Sequence, residues 1–130
     1  MATKSTYSLA ALALALVACA TPRDDKIVGV DGALAYRERI ALGNGAIFAV
    51  RVFRRDGDTR TLVASQQHAT SSQPPLPFQL SWRRGDAGSA PLELEAEIKD
   101  GERHWILPTP VSVPPGGDPQ ILGLQLILGR

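Results

Sequence analysis

Leu92-Glu93-Leu94-Glu95-Ala96-Glu97-Ile98-Lys99-Asp100-Gly101 decides the fold class. Apolar and charged residues alternate with period two over eight positions. That is the repeat of a strand with one dry face and one wet face, not the 3.6-residue repeat of a helix. Leu92, Leu94, Ala96 and Ile98 point inward, and Glu93, Glu95, Glu97 and Lys99 point to water. Asp100-Gly101 fits a two-residue type I′ hairpin, whose twist matches the strands it joins. The returning strand is expected over residues 102–107.

The same alternation extends in both directions. Residues 77–82 form a strand with Phe78 and Leu80 on one face, and the flanking prolines fit a strand start or a sheet edge. Residues 61–69 form another, preceded by a hydrophilic turn at 54–58. In 47–53, Phe48, Val50 and Val52 share a face. Gly43-Asn44-Gly45 marks a turn, since both residue types tolerate positive φ. In 28–36 the inward set is Val28, Val30, Gly32, Leu34 and Tyr36. Downstream, a short strand is expected at 111–113 inside a proline- and glycine-rich stretch. The last strand, 121–128, carries Leu122, Leu124, Leu126 and Leu128 on one face. Its other face, Ile121, Gly123, Gln125 and Ile127, is also mostly apolar, which predicts a central or covered strand.

No stretch after residue 20 keeps a helical apolar pattern beyond about two turns. Seven to eight short strands with turn signals roughly every ten residues predict an all-β domain, a small antiparallel β-sandwich or a barrel-like closure of the same strands.

The first residues read differently. Lys4 precedes an apolar run over residues 7–17, too short to span a bilayer as a helix. The single cysteine, Cys19, follows Leu16-Val17-Ala18. This arrangement resembles the lipobox of bacterial lipoproteins, in which the cysteine sulfur receives lipid and becomes the first mature residue. The resemblance implies a lipoprotein signal peptide over residues 1–18, a lipidated tether over 19–26 and a folded domain over 27–130. An ordinary signal peptide cut after Ala18-Cys19-Ala20 is the alternative. A lone thiol can form no internal disulfide and tends to pair with other molecules in an oxidising compartment, so a thioether to lipid removes a liability. By the sorting rule for such lipoproteins, Ala20 in place of an aspartate implies the outer membrane, periplasmic face, as the location.

The chain has 14 basic and 13 acidic side chains, a net charge of +1. Removing Lys4 with the leader brings the balance to zero. No nucleic-acid partner is expected, because such binding favours a strong basic excess.

Three further motifs resemble a known family. They are Tyr36-Arg37-Glu38-Arg39-Ile40-Ala41-Leu42 with Gly43 to Ala46, Pro75-Leu76-Pro77-Phe78-Gln79-Leu80, and the paired segments 94–98 and 105–107. They look like YbaY-type lipoproteins, a group related to the lipoprotein pilotins of type III secretion systems, and the resemblance covers residues 28–128. It implies a lipid-anchored β-sandwich. For the pilotin members it implies binding the C-terminal segment of a secretin and delivering that subunit to the outer membrane. Only Cys19 carries over as a functional position.

The remaining residues offer no enzyme signature. His68 and His104 are the only histidines and lack metal-ligand spacing. Asp56-Gly57-Asp58 resembles the start of a calcium loop, but Arg60 stands where a further ligand is needed. Glu93, Glu95 and Glu97 read as the wet side of a sheet. No nucleophile elbow or phosphate-binding loop occurs. The expectation is therefore a non-catalytic module without a cofactor other than lipid on Cys19, with the membrane and an envelope protein, such as a secretin, as partners. Phe78, Trp82 and Trp105 are candidate partner contacts, although the core is the favoured place for both tryptophans. Strand addition at a sheet edge or docking in an apolar groove is the expected mode, with 75–80 and 108–115 as candidate edges. The competing readings are a module that holds a small apolar ligand or acts in envelope stress, and a structural spacer.

Overall fold

The computed structural model describes residues 25–129. The signal peptide at 1–18, Cys19 and all but the last two tether residues lie outside the described residues. Eight strands follow: β1 (Ile27–Tyr36), β2 (Ala46–Asp56), β3 (Thr59–Thr70), β4 (Leu76–Arg83), β5 (Leu92–Asp100), β6 (Arg103–Ile106), β7 (Val111–Val113) and β8 (Asp118–Leu128). One 3-10 turn, Arg84–Asp86, separates β4 from β5.

The strands form one sheet in the order β3-β2-β5-β6-β8-β1-β4, with β7 paired to β5. The sheet curls until its end strands β3 and β4 face each other, and Gln79 N–H donates across that seam to the Gln66 Oε1 at 3.1 Å. The all-β expectation holds, in its barrel-like form. The pairing departs from antiparallel at one place: β8 runs parallel to β1.

Burial follows the alternation of the sequence. In β5 the side chains at 92, 94, 96 and 98 are buried, while Glu93, Glu95 and Glu97 are half-buried on the outer wall. Phe48, Val50 and Val52 of β2 and Leu124 and Leu126 of β8 meet them in the core. Trp105 is fully buried and stacks on Tyr36 with ring centroids 4.3 Å apart.

Two local expectations are corrected. The β5–β6 loop is Gly101-Glu102, because Asp100 pairs with Arg103. Only Gly101 has positive φ, which suits a turn with glycine at its first loop position, type II′, not type I′. β2 also continues through Arg54, Arg55 and Asp56, residues expected in a turn. Arg55 grips Glu93 of β5 with two hydrogen bonds, 2.8 and 3.2 Å, so a charged run sits comfortably on the outer wall.

The last strand takes one of its two expected settings, the central one. β8 is central in the strand order, yet its outer face is uncovered: Ile121 is 78% exposed and Ile127 49%. A strand can have a neighbour on each edge and still show one face to water.

Candidate partner-binding edge

The ladder between β6 and β8 is two residue pairs long, Trp105↔Leu128 and Ile106↔Ile127. Gly129 N–H donating to the His104 carbonyl at 2.7 Å fixes its phase. The odd-numbered residues of β8 therefore direct their N–H and C=O toward β6, and the even-numbered ones toward β1. Carried one and two steps further, this register sets Pro108 opposite Gln125 and Pro110 opposite Gly123. A proline has no N–H to give, so the ladder ends there. The chain instead leaves β8 after Ile106, its Leu107 N–H still bonding the Ala96 carbonyl of β5, and rejoins β5 as β7, while β8 stays with β1.

The result is a notch in the barrel wall. On one side lie Ile106, Pro108 and Pro110. On the other lies β8, where Gly123 and Gln125 face the gap with no strand paired to them on that side among the described residues. A Cβ built on Gly123 meets nothing within 4 Å. Ile106 and Ile127, cross-strand neighbours on the outer wall, are 37% and 49% exposed at the closed end of the notch. Unmatched backbone groups flanked by exposed isoleucines are what a strand-adding partner segment requires.

Beside the notch a shallow groove of about 250 Å³ runs between Arg51, Glu95 and Glu97 on one wall and Ile106, Leu107, Pro108 and Pro110 on the other. Its charged wall is a network. Arg51 donates to Glu97 at 3.2 Å, His104 lies 2.9 Å from the same carboxylate, and Arg60 bonds Glu95 at 2.7 Å. Arg60 also lies over the Phe53 ring, 3.9 Å from its centroid. Burial pushes the Glu97 carboxyl up, but the hydrogen bonds from His104 and Arg51 outweigh it and hold it below its usual range. The Arg55 hydrogen bonds do the same for Glu93. The row of glutamates is thus balanced by arginines.

The candidate contacts chosen from sequence lie beneath the surface. Phe78, Trp82 and Trp105 are 4%, 5% and 0% exposed and belong to the core. The Trp82 indole N–H donates to the Pro115 carbonyl at 2.9 Å and that of Trp105 to Glu38 Oε2 at 3.2 Å. An indole with its N–H satisfied buries at little cost, so both rings brace the wall from inside. Of the two candidate edges, 75–80 lies largely in β4, an end strand of the sheet, and 108–115 contains β7 and one lip of the notch. His68 bonds the Gln66 side chain and packs near Phe48. Among the described residues, no group of three or more His, Cys, Asp or Glu side chains could hold a metal ion. No helix among them is long and apolar enough to cross a membrane.

The notch itself escaped sequence reasoning, because it depends on the β6–β8 register. The available signal was Pro108-Thr109-Pro110, two prolines spaced by two, which blocks donors on one edge of a strand.

A family model described as type III secretion system lipoprotein chaperone (YscW) matches residues 25–126. Among solved structures, an alternative pilotin from the type II secretion system of Vibrio cholerae is similar, with 29% sequence identity and a TM-score of 0.68. The match covers 81% of this chain and 99% of that one. No curated protein matches the chain.

Proposed function

We propose, because this chain belongs to the type III secretion system lipoprotein chaperone (YscW) family, that it is a pilotin: a non-catalytic lipoprotein that binds a secretin subunit and brings it to the outer membrane. Lipid on Cys19 supplies the address. The barrel supplies the grip. The similarity to a type II pilotin and the likeness of residues 36–46 and 75–80 to YbaY-type lipoproteins support the same reading.

The observation that carries the binding mode is the run of unmatched backbone on β8 beside Ile106 and Ile127. A C-terminal secretin segment entering the notch extended would pair with Gly123 and Gln125 and lay apolar side chains against the two isoleucines. Main-chain pairing supplies affinity, and the spacing of side chains that meet Ile106, Ile127 and the adjoining groove supplies selectivity. Release then needs only the unzipping of a short ladder, which suits a carrier.

Titration of the lipidated protein, in detergent micelles, with labelled peptides from the C-termini of the host's secretins tests this. Saturable binding to one of them is the expected result. Absence of binding to every such peptide removes the pilotin role.

A further inference from the structure

We propose that the end of the barrel carrying Ile27, Pro119 and Ile121 rests on the headgroup–acyl boundary of the bilayer that holds the anchor. This rests on the reading of Cys19 as lipidated. Ile121 and Ile27 are the two most exposed large apolar side chains described, at 78% and 61%. Both belong to the outward-facing set of neighbouring strands. Ile27 opens β1, and Ile121 pairs with Asp31 of that strand. Between Val30 and Asp31 the β1–β8 register shifts, so Pro119 and Gln120 loop out of the ladder. Pro119 can give no N–H to a sheet, and it joins Ile27 on the rim of a groove of about 310 Å³. Gly29 lines this groove, and β4 approaches so closely there that a Cβ would stand 2.1 Å from the Leu80 carbonyl oxygen.

The length of chain outside the structure selects the occupant. Residues 20–26 separate Cys19 from Ile27. Seven residues reach at most about 25 Å when fully extended, and roughly 15 Å as a flexible chain. An 11-residue strand such as β8 is itself about 36 Å long. The tether is shorter than the body, so the end where β1 begins stays within about 25 Å of the bilayer and lies nearest to it. Exposed apolar side chains at that end meet the interfacial zone, where such groups are stabilised. Lys26, Arg83 and Arg84 lie at this end with Asp25, Asp31 and Asp118, three charges of each sign, so apolar contact carries the docking. In this orientation the notch opens sideways, above the membrane, where a secretin segment can reach it.

The test uses the full-length, lipidated protein in phosphatidylethanolamine/phosphatidylglycerol vesicles. The variants Ile121→Cys, Ile27→Cys and Ile47→Cys each carry an environment-sensitive dye. Ile47 is exposed at the opposite end of the barrel, where β2 begins. A Cys19 sulfur held in thioether takes no dye, so the introduced thiol alone is labelled. The expected result is blue-shifted emission, quenched by brominated acyl chains, at 27 and 121 but not at 47, and insensitive to salt. Vesicle-bound protein with no bromolipid quenching at 27 and 121 overturns the proposal. A blue shift there without such quenching overturns it too, since a second copy or another protein then covers the patch. Protein that fails to float with vesicles, with dye taken up at Cys19, removes the anchor reading and this proposal with it.

Discussion

Gly123→Pro separates the needs of a partner from those of the fold. The N–H at 123 points into the notch, on the side of β8 away from β1, and no strand among those described uses it. Gly123 is outside the positive-φ set, and a Cβ there meets nothing within 4 Å. A proline there removes no internal hydrogen bond, and stability to urea is expected to fall by only about 1 kcal/mol from wild type. The partner strand loses one donor and keeps an acceptor with nothing to accept, a cost of about 1–3 kcal/mol. Affinity for the secretin peptide should fall roughly 5- to 150-fold. Leu122→Pro, one residue earlier, is the contrast: its N–H serves the β1 ladder and its side chain packs against the core. Loss of that hydrogen bond and of part of the leucine burial costs about 2–5 kcal/mol of stability. Fluorescence anisotropy with labelled peptide gives the affinities, and urea unfolding gives the stabilities. A folded Gly123→Pro protein that binds as tightly as wild type refutes docking by strand addition at this edge. Equal destabilisation by the two prolines refutes the assigned phase of β8.

Three other outcomes are expected. Trp105→Phe keeps a ring on Tyr36 but removes the N–H to Glu38 and some core volume, lowering stability by about 1–3 kcal/mol in urea unfolding; a neutral result contradicts the buried bracing role. Gln73 holds both the N–H and the C=O of Leu42, at 2.7 and 3.0 Å, so Gln73→Ala should cost about 1–3 kcal/mol and speed amide exchange at Leu42, which mass-resolved hydrogen exchange reads. Glu97 has a folded-state pKa below its unfolded value, so its contribution to stability is present above the ordinary carboxylate pKa and is lost as pH falls through the folded one. Thermal unfolding of Glu97→Gln should thus depend less on pH across that acidic window than wild type; an unchanged pH profile removes the assigned role of its His104 and Arg51 hydrogen bonds.

Strand faces were legible in the sequence because a strand's side-chain period of two is strict. The inward sets of β1, β2, β5 and β8 lie where alternation put them. Strand neighbours were not legible. Alternation says nothing about direction, so the parallel β1–β8 pairing came only from the structure. Apolar residues on both faces of β8 fit a central strand or a covered one; the strand is central, and one of those faces serves the exterior. Both tryptophans lie in the core, the setting favoured for them, and the acceptors Glu38 and Pro115 that satisfy Trp105 and Trp82 there, which no local pattern reveals, are 67 and 33 residues away in sequence. Pro108 and Pro110 were visible as an edge feature, but only the β6–β8 register turned them into a gap.

The most direct measurement is in living cells: a photo-crosslinking amino acid at position 125, within the notch, followed by mass spectrometry of the products. The account predicts a crosslink between residue 125 and the C-terminal segment of a secretin, absent when the probe is moved to position 47. Secretin subunits reaching the outer membrane in these cells while residue 125 captures no secretin peptide would contradict it.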